Sequence, residues 1–286
     1  MQFIVNGIIV GCIIVLGSTG FSILYALLRF PNLAYGELMV LGAYVTLSFN
    51  TLGIPVVIAL LIAIPITALF NLVLDRIVFK KLREAGLSSL IMASFGVGLF
   101  LRSLIRVIWG TGVHLFMMRP SSSIELPYGT VITIPQLIII GYTAVLIVFL
   151  GLFLKKTKFG KATRAVADNV SLSLVTGIST ERVIALNLMI AGVLAVSGGV
   201  LLGIDSSLNP LQGWRLLLPV YAATIFGKIG SMYGALIGGL VMGLAQEGLV
   251  AFLPTAYKPG IAFVAIILII FIRSKSFKQI GARIWI

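Results

Sequence analysis

Three carboxylates, Glu37, Asp205 and Glu247, stand within or at the edges of long apolar stretches of the sequence. A charge at membrane depth costs at least about 2–3 kcal/mol, so each is a candidate for substrate, ion or proton chemistry. Glu37 is the strongest of the three. The stretch NLAYGELMVLGAY follows a Pro31-Asn32 pair, which predicts an interrupted helix whose N-terminal amides lie near the acid. Compensation of those amides is its plainer role. Asp205 neighbours Ser206 and Asn209, and Glu247 precedes Pro254 by seven residues; neither has a catalytic companion. Arg102 and Arg106 share a helical face at i, i+4. They suit an anionic substrate, although snorkelling to headgroups is the favoured reading. His114, the single histidine, falls in a predicted outer loop and is assigned an ordinary packed or solvated role.

Other chemistries are excluded by residue type and spacing. Gly160-Lys161 and Gly227-Lys228 are followed by Ala162 and Ile229, where a phosphate-binding loop needs Ser or Thr. With one cysteine, Cys12, and one histidine, neither a disulfide framework nor a metal site is expected. No nucleophile elbow or zinc-protease motif occurs. The chain is therefore read as no enzyme, with no metal and no cofactor of its own.

A different kind of function is suggested by FGKATRAVADNVSLSLVTGISTER, residues 159–182. No proline or glycine interrupts Lys161 to Val175, which predicts one short helix. Gly177 fits a left-handed stop, and Ser179 or Thr180 can cap the next span. Ala162, Ala165, Val166, Val170 and Val175 can share one face, with Arg164, Asp168 and Ser171 elsewhere. A small-residue surface of this kind suits docking in a protein groove. An interfacial helix on the bilayer is the alternative, supported by the Lys-rich start at 155–161, but large apolar anchors are missing from its middle.

The elements that position these residues follow from composition. Of 286 residues 59% are hydrophobic and mean hydropathy is +1.16, well above the roughly 45–50% apolar usage of soluble domains. The expected fold is an all-α, polytopic transmembrane helix bundle forming a single domain over 1–286. Apolar windows fall at 3–28, 33–50, 54–75, 88–110, 132–154, 183–206, 231–252 and 258–272. A shorter one at 215–228 reads as a half-helix or re-entrant segment, giving eight to nine spans with one broken. The first window has no basic residue before it and no cleavage site, and is expected to be retained as a span. The net charge of +13 is a topology signal and not a nucleic-acid footprint. Segments 76–87, 155–182 and the tail from Arg273 hold 14 of the 21 Lys and Arg residues and are expected to be cytoplasmic, C-terminus included. Segments 51–53, 111–131, 207–214 and 253–257 are then outside. The spacings Gly7/Gly11, Gly199/Gly203, Gly234/Gly238 and Gly239/Gly243 permit close helix approach.

Three blocks of the sequence resemble a known family. Gly160 to Gly203 resembles the cytoplasmic loop and following helix of branched-chain amino-acid ABC transporter permeases of the LivH type. Asn32 to Tyr44 is similar to the family's Asn-Phe-Ala-His-Gly-Glu block, with Tyr35 in place of the histidine. Phe226 to Gly243 is similar to its Gly-Gly-x-Gly-Ser-x-x-Gly-Ala block, with Lys228 in place of a glycine. The resemblance implies a multi-pass permease of the bacterial cytoplasmic (inner) membrane. Its implied partners are two cytoplasmic ABC ATPases that bind the ATP, a second permease, homologous or identical, and an extracytoplasmic substrate-binding protein. Residues 155–182 would form the coupling-helix loop, with 161–177 as the coupling helix, Lys161 at its start, Arg164 and Asp168 contacting the ATPase and Gly177 ending it. The path would be lined by Tyr35, Gly36, Glu37, Gly227, Gly230 and Tyr233. Branched-chain or other hydrophobic amino acids are the implied cargo. Urea or short amides are the alternative cargo, and an ion-coupled transporter or channel is the alternative class.

Overall fold

The computed structural model of the chain describes residues 2–118, 123–126, 130–250, 258, 260–268 and 271. Its helices are α1 (Gln2–Leu28), α2 (Tyr35–Thr51), α3 (Val56–Leu74), the short α4 (Lys80–Leu82), α5 (Leu87–Trp109), α6 (Ile134–Lys156), α7 (Lys158–Asp168), α8 (Val170–Val175), α9 (Thr180–Asp205), α10 (Gln212–Phe226) and α11 (Met232–Val250). A π turn at Asp75–Phe79 joins α3 to α4. Among the described residues six helical stretches are long and apolar enough to cross a membrane: α1, 56–85, α5, α6, α9 and α11. The helices α2 and α10, at 17 and 15 residues, are shorter. The proposed segment 258–272 is only partly described, and the loop at 253–257 and the basic tail from Arg273 lie outside the described residues.

The helix α1 is the central post, with 89% of its span buried, whereas α5 and α6 bury 22% of theirs. It packs on α11, α9, α10 and α6. Contact with α11 is backbone against backbone: a Cβ on Gly243 would lie 2.3 Å from the Gly11 Cα, and one on Gly7 would lie 3.0 Å from the Leu244 Cα. The Gly7/Gly11 and Gly239/Gly243 spacings thus meet each other across one antiparallel pair. Gly238 abuts the Ala223 carbonyl of α10 and Gly199 the Met39 carbonyl of α2, while Gly203 faces loop side chains, Phe116 and Leu208. Lipid tails supply no hydrophobic drive between helices, so close packing of this kind is what holds such a bundle together.

The polar segments sort to two ends. At one, Lys80 pairs with Glu181 at 2.7 Å, Phe30 packs on Phe79, and the guanidinium of Arg29 donates to the Ala167 carbonyl. At the other, His114 and Leu208 exchange backbone hydrogen bonds of 2.9 and 2.7 Å, and Asn50 holds the Met117 amide at 2.7 Å. The basic segments 76–87 and 155–182 share the first end, in agreement with their expected common side. The chain passes from the second end to the first through α10, whose following turn meets α1 where Gly230 N–H donates to Ser22 Oγ at 2.9 Å. At about 22 Å α10 is shorter than the hydrocarbon thickness of roughly 30 Å.

Two local expectations are corrected. The run 161–175 is not one helix: Asn169 is extended (φ −150°, ψ 108°), and its Oδ1 accepts the Leu172 amide at 3.0 Å, so it ends α7 and caps α8. Asparagine competes with the helix for backbone bonds, and here that local bond wins. Within 111–131, expected as a loop, β1 (Ser123–Leu126) pairs antiparallel with β2 (Thr130–Thr133). Gln2 clasps Val131 of β2 through two hydrogen bonds of 2.9 and 3.0 Å.

Candidate functional site

Two places bring chemistry together, one inside the bundle and one at its basic end. The inner one begins with the break after α1. Arg29 adopts a left-handed backbone (φ 58°), Asn32 Oδ1 accepts the Ala34 amide at 3.0 Å, and α2 starts at Tyr35. The Tyr35 hydroxyl donates to the carbonyl of Ala191 at 3.1 Å. Ala191 is eleven residues into α9, about 16 Å along it, so α2 begins inside the bundle.

At that depth the N-termini of α2 and α10 cross. A Cβ on Gly36 would lie 2.3 Å from the Gly213 carbonyl oxygen, and one on Gly213 would lie 2.5 Å from Glu37 Oε2. Two glycines therefore let the buried Glu37 sit beside two helix N-termini, where backbone amides favour a negative charge. Its counter-charge comes from α5. Arg102 Nε donates to Glu37 Oε1 at 2.9 Å, and its Nη2 donates to the same oxygen. The guanidinium carbon lies 5.6 Å from the Trp214 ring centroid, within cation–π range, and Phe95 meets Trp214 edge-on at 6.1 Å. Glu37 Oε2 has no hydrogen-bond partner among the described residues. The cluster combines a paired carboxylate and guanidinium with a half-exposed aromatic wall. Arg106, one turn further along α5, adds a second positive charge near Glu37 without a hydrogen bond to it. The other two acids lie away from this cluster but near each other: Asp205, at the end of α9, neighbours Gln136 and is within charge range of Glu247 and Lys258, and Glu247 takes a 2.5 Å bond from Lys258.

At the basic end α7 is fastened to three long helices. Thr157 caps it, accepting the Gly160 amide at 3.1 Å. Arg164 Nη1 donates to Leu154 of α6 at 2.9 Å, Asn187 Nδ2 of α9 donates to Thr163 Oγ1 at 3.0 Å, and Arg29, just after α1, holds Ala167. The short helix α8 then closes with both bonds of a Schellman stop: Ile178 N–H to Ser173 and Gly177 N–H to Leu174, each 3.0 Å, with Gly177 at φ 81°. Only Ser173 of α8 is buried. Leu172, Leu174 and Val175 are 61%, 55% and 85% exposed, so the run carries the large apolar side chains in its second half.

Beside α7 lies a cavity of about 720 Å³ bounded by α1, α6, α7 and the α10–α11 turn. Arg164 and Asp168 border it together with Gly230 and Tyr233. Gly227 packs instead in the tight turn against Gly234, and Tyr35, Gly36 and Glu37 are buried in the core. The ten residues expected to serve coupling or the path thus fall into four places. Lys161, on α7, and Gly177, after α8, are on the exposed side of the basic end.

Residues 3–272 match the family described as branched-chain amino acid transport system / permease component. The chain belongs to this family. Relatives of the permease include the high-affinity branched-chain amino acid transport system permease protein LivH of Salmonella typhimurium, 27% identical over 95% of this chain and 93% of that one. BraD of Pseudomonas aeruginosa, described in the same words, is 27% identical over 96% and 94%. In fold, the permease resembles a chain of the PsaBC complex with Fab from Streptococcus pneumoniae, with a TM-score of 0.51 at 13% identity over 95% and 92% of the two chains.

Arg102 and Trp214 of the permease were missed as a pair with Glu37. Arg102 is 65 residues from Glu37, and its i, i+4 spacing to Arg106 pointed to the membrane surface instead. The usable signal was Glu37 itself, since a buried acid needs a cation and few arginines lie within spans.

Proposed function

We propose that the permease is the transmembrane subunit of an ABC importer that moves branched-chain or other hydrophobic amino acids delivered by an extracytoplasmic binding protein. Two cytoplasmic ATPases drive it, and a second permease, identical or homologous, completes it. The cargo reading rests on the names of LivH and BraD. The observation that carries the coupling reading is the α7–α8 knob. An exposed apolar surface on α8 is tied, through α7, to α1, α6 and α9, so a force on the knob reaches three spanning helices. On this reading the basic end faces the cytoplasm of a bacterial inner membrane, and α2, α10 and the segment at 258–272 complete nine passes.

An ion-coupled carrier acting alone would need an acid free to bind its ion. Glu37 already has Arg102 on one oxygen and two helix N-termini beside it, which favours the importer. The test is reconstitution with the partner ATPases and binding protein. Leucine-loaded binding protein is expected to raise ATP hydrolysis several-fold; leucine uptake by the permease in liposomes without any ATPase would refute the reading.

A further inference from the structure

The cavity beside α7 is amphipathic. Its apolar lining comes from Ile23 of α1, Leu154 of α6 and Met232 of α11. Its rim is basic, carrying Arg29, Lys155, Arg164 and Lys228 against one acid, Asp168. None of the four cations lies in an ion pair with a described carboxylate; Arg29 and Arg164 each donate to a backbone carbonyl, and the two lysines are exposed. The two described non-glycine residues with left-handed backbone are Arg29 (φ 58°) and Lys228 (φ 71°). Both sit on this rim. Such backbone strain on L-residues persists where the surroundings hold it and is concentrated at functional positions.

We propose that this cavity binds the headgroup of an anionic phospholipid from the leaflet at the basic end, with the phosphate among the rim cations and the glycerol and upper acyl chains on the apolar lining. Three features select a lipid over a soluble anion. The rim lies where α1 and α6 end and where the α10–α11 turn falls, which is the level of the bilayer interface. The wall helices continue into apolar surface: Leu152 on α6 and Ile237 on α11 are 49% and 56% exposed. Basic clefts between spanning helices are a recurrent form of anionic headgroup site. Because α7 is one wall, a bound lipid would brace the docking knob against α1 and α6.

The test uses the full permease, without ATPases, in detergent and in nanodiscs, with lipid retention read by native mass spectrometry. Phosphatidylglycerol should be retained in preference to phosphatidylcholine. Each lysine near a lipid surface contributes about 1 kcal/mol, so Lys155→Gln with Lys228→Gln should weaken phosphatidylglycerol retention about thirty-fold. Helix content and thermal midpoint should be unchanged. Lys80→Gln with Lys81→Gln, on the same end but off the cavity, should retain the lipid as the native chain does. Equal loss in both double variants would overturn the site, leaving general surface charge as the cause. Complete displacement by millimolar inorganic phosphate would also overturn it, by showing that the acyl chains contribute nothing.

Discussion

The Glu37–Arg102 cluster and the α7–α8 knob both carry charge in an apolar chain, yet they are built in opposite ways. The first is sealed by two glycine contacts and a third helix, and its acid is 2% exposed. The second has exposed side chains on a scaffold pinned by backbone carbonyls. Where charge is buried, the structure must satisfy it internally; on the knob, Lys161 is left to water and the exposed apolar side chains of α8 are free for a partner. Changes to the first should therefore read out as loss of folded protein, and changes to the second as loss of assembly.

The largest effect is expected for Arg102→Ala, which leaves Glu37 as an uncompensated buried charge and should cost about 3–5 kcal/mol in denaturation of the purified permease. Adding Glu37→Gln should recover much of that, and a purely additive double variant would show that the two residues do not act as a pair. Gly36→Ala comes next. Its Cβ would meet the Gly213 carbonyl at 2.3 Å, and overpacking of this kind costs about 1–3 kcal/mol. Thermal unfolding of the variant measures it. Gly177→Ala forces a methyl group into a left-handed position and should cost about 1 kcal/mol, with weaker retention of the ATPases on affinity resin. Leu174→Ser should change folding stability by less than about 0.5 kcal/mol and still abolish ATPase retention. Stability loss comparable to that of Gly36→Ala would place Leu174 in the core and break the comparison.

Local features were legible from the sequence and distant pairings were not. Six of the apolar windows, the break at Pro31, the basic end and the Gly177 stop each leave a local signature: an apolar run, an X-Pro dipeptide, a lysine cluster, a glycine after a helix. Asn169 left one too, since asparagine is a favoured helix N-cap, but the run around it without proline or glycine masked the break. The crossing at Gly36 and Gly213 could not be read because it joins residues 177 positions apart in sequence, and glycine spacing names no partner. Arg102 is hidden for the same reason. Even the four glycine pairs were legible only as a capacity for close approach; which helices use it is decided by the bundle.

The central claim is that the α8 surface seats in a partner ATPase. Cys12 is the single cysteine and is buried, so Cys12→Ser with Val175→Cys gives one reactive thiol, on a position 85% exposed. In the assembled complex, a short thiol–amine cross-linker should join Val175→Cys to the ATPase in high yield. The thiol should also be protected from a soluble maleimide only when the ATPase is present. A thiol that labels equally with and without the ATPase, and never cross-links to it, would contradict the account.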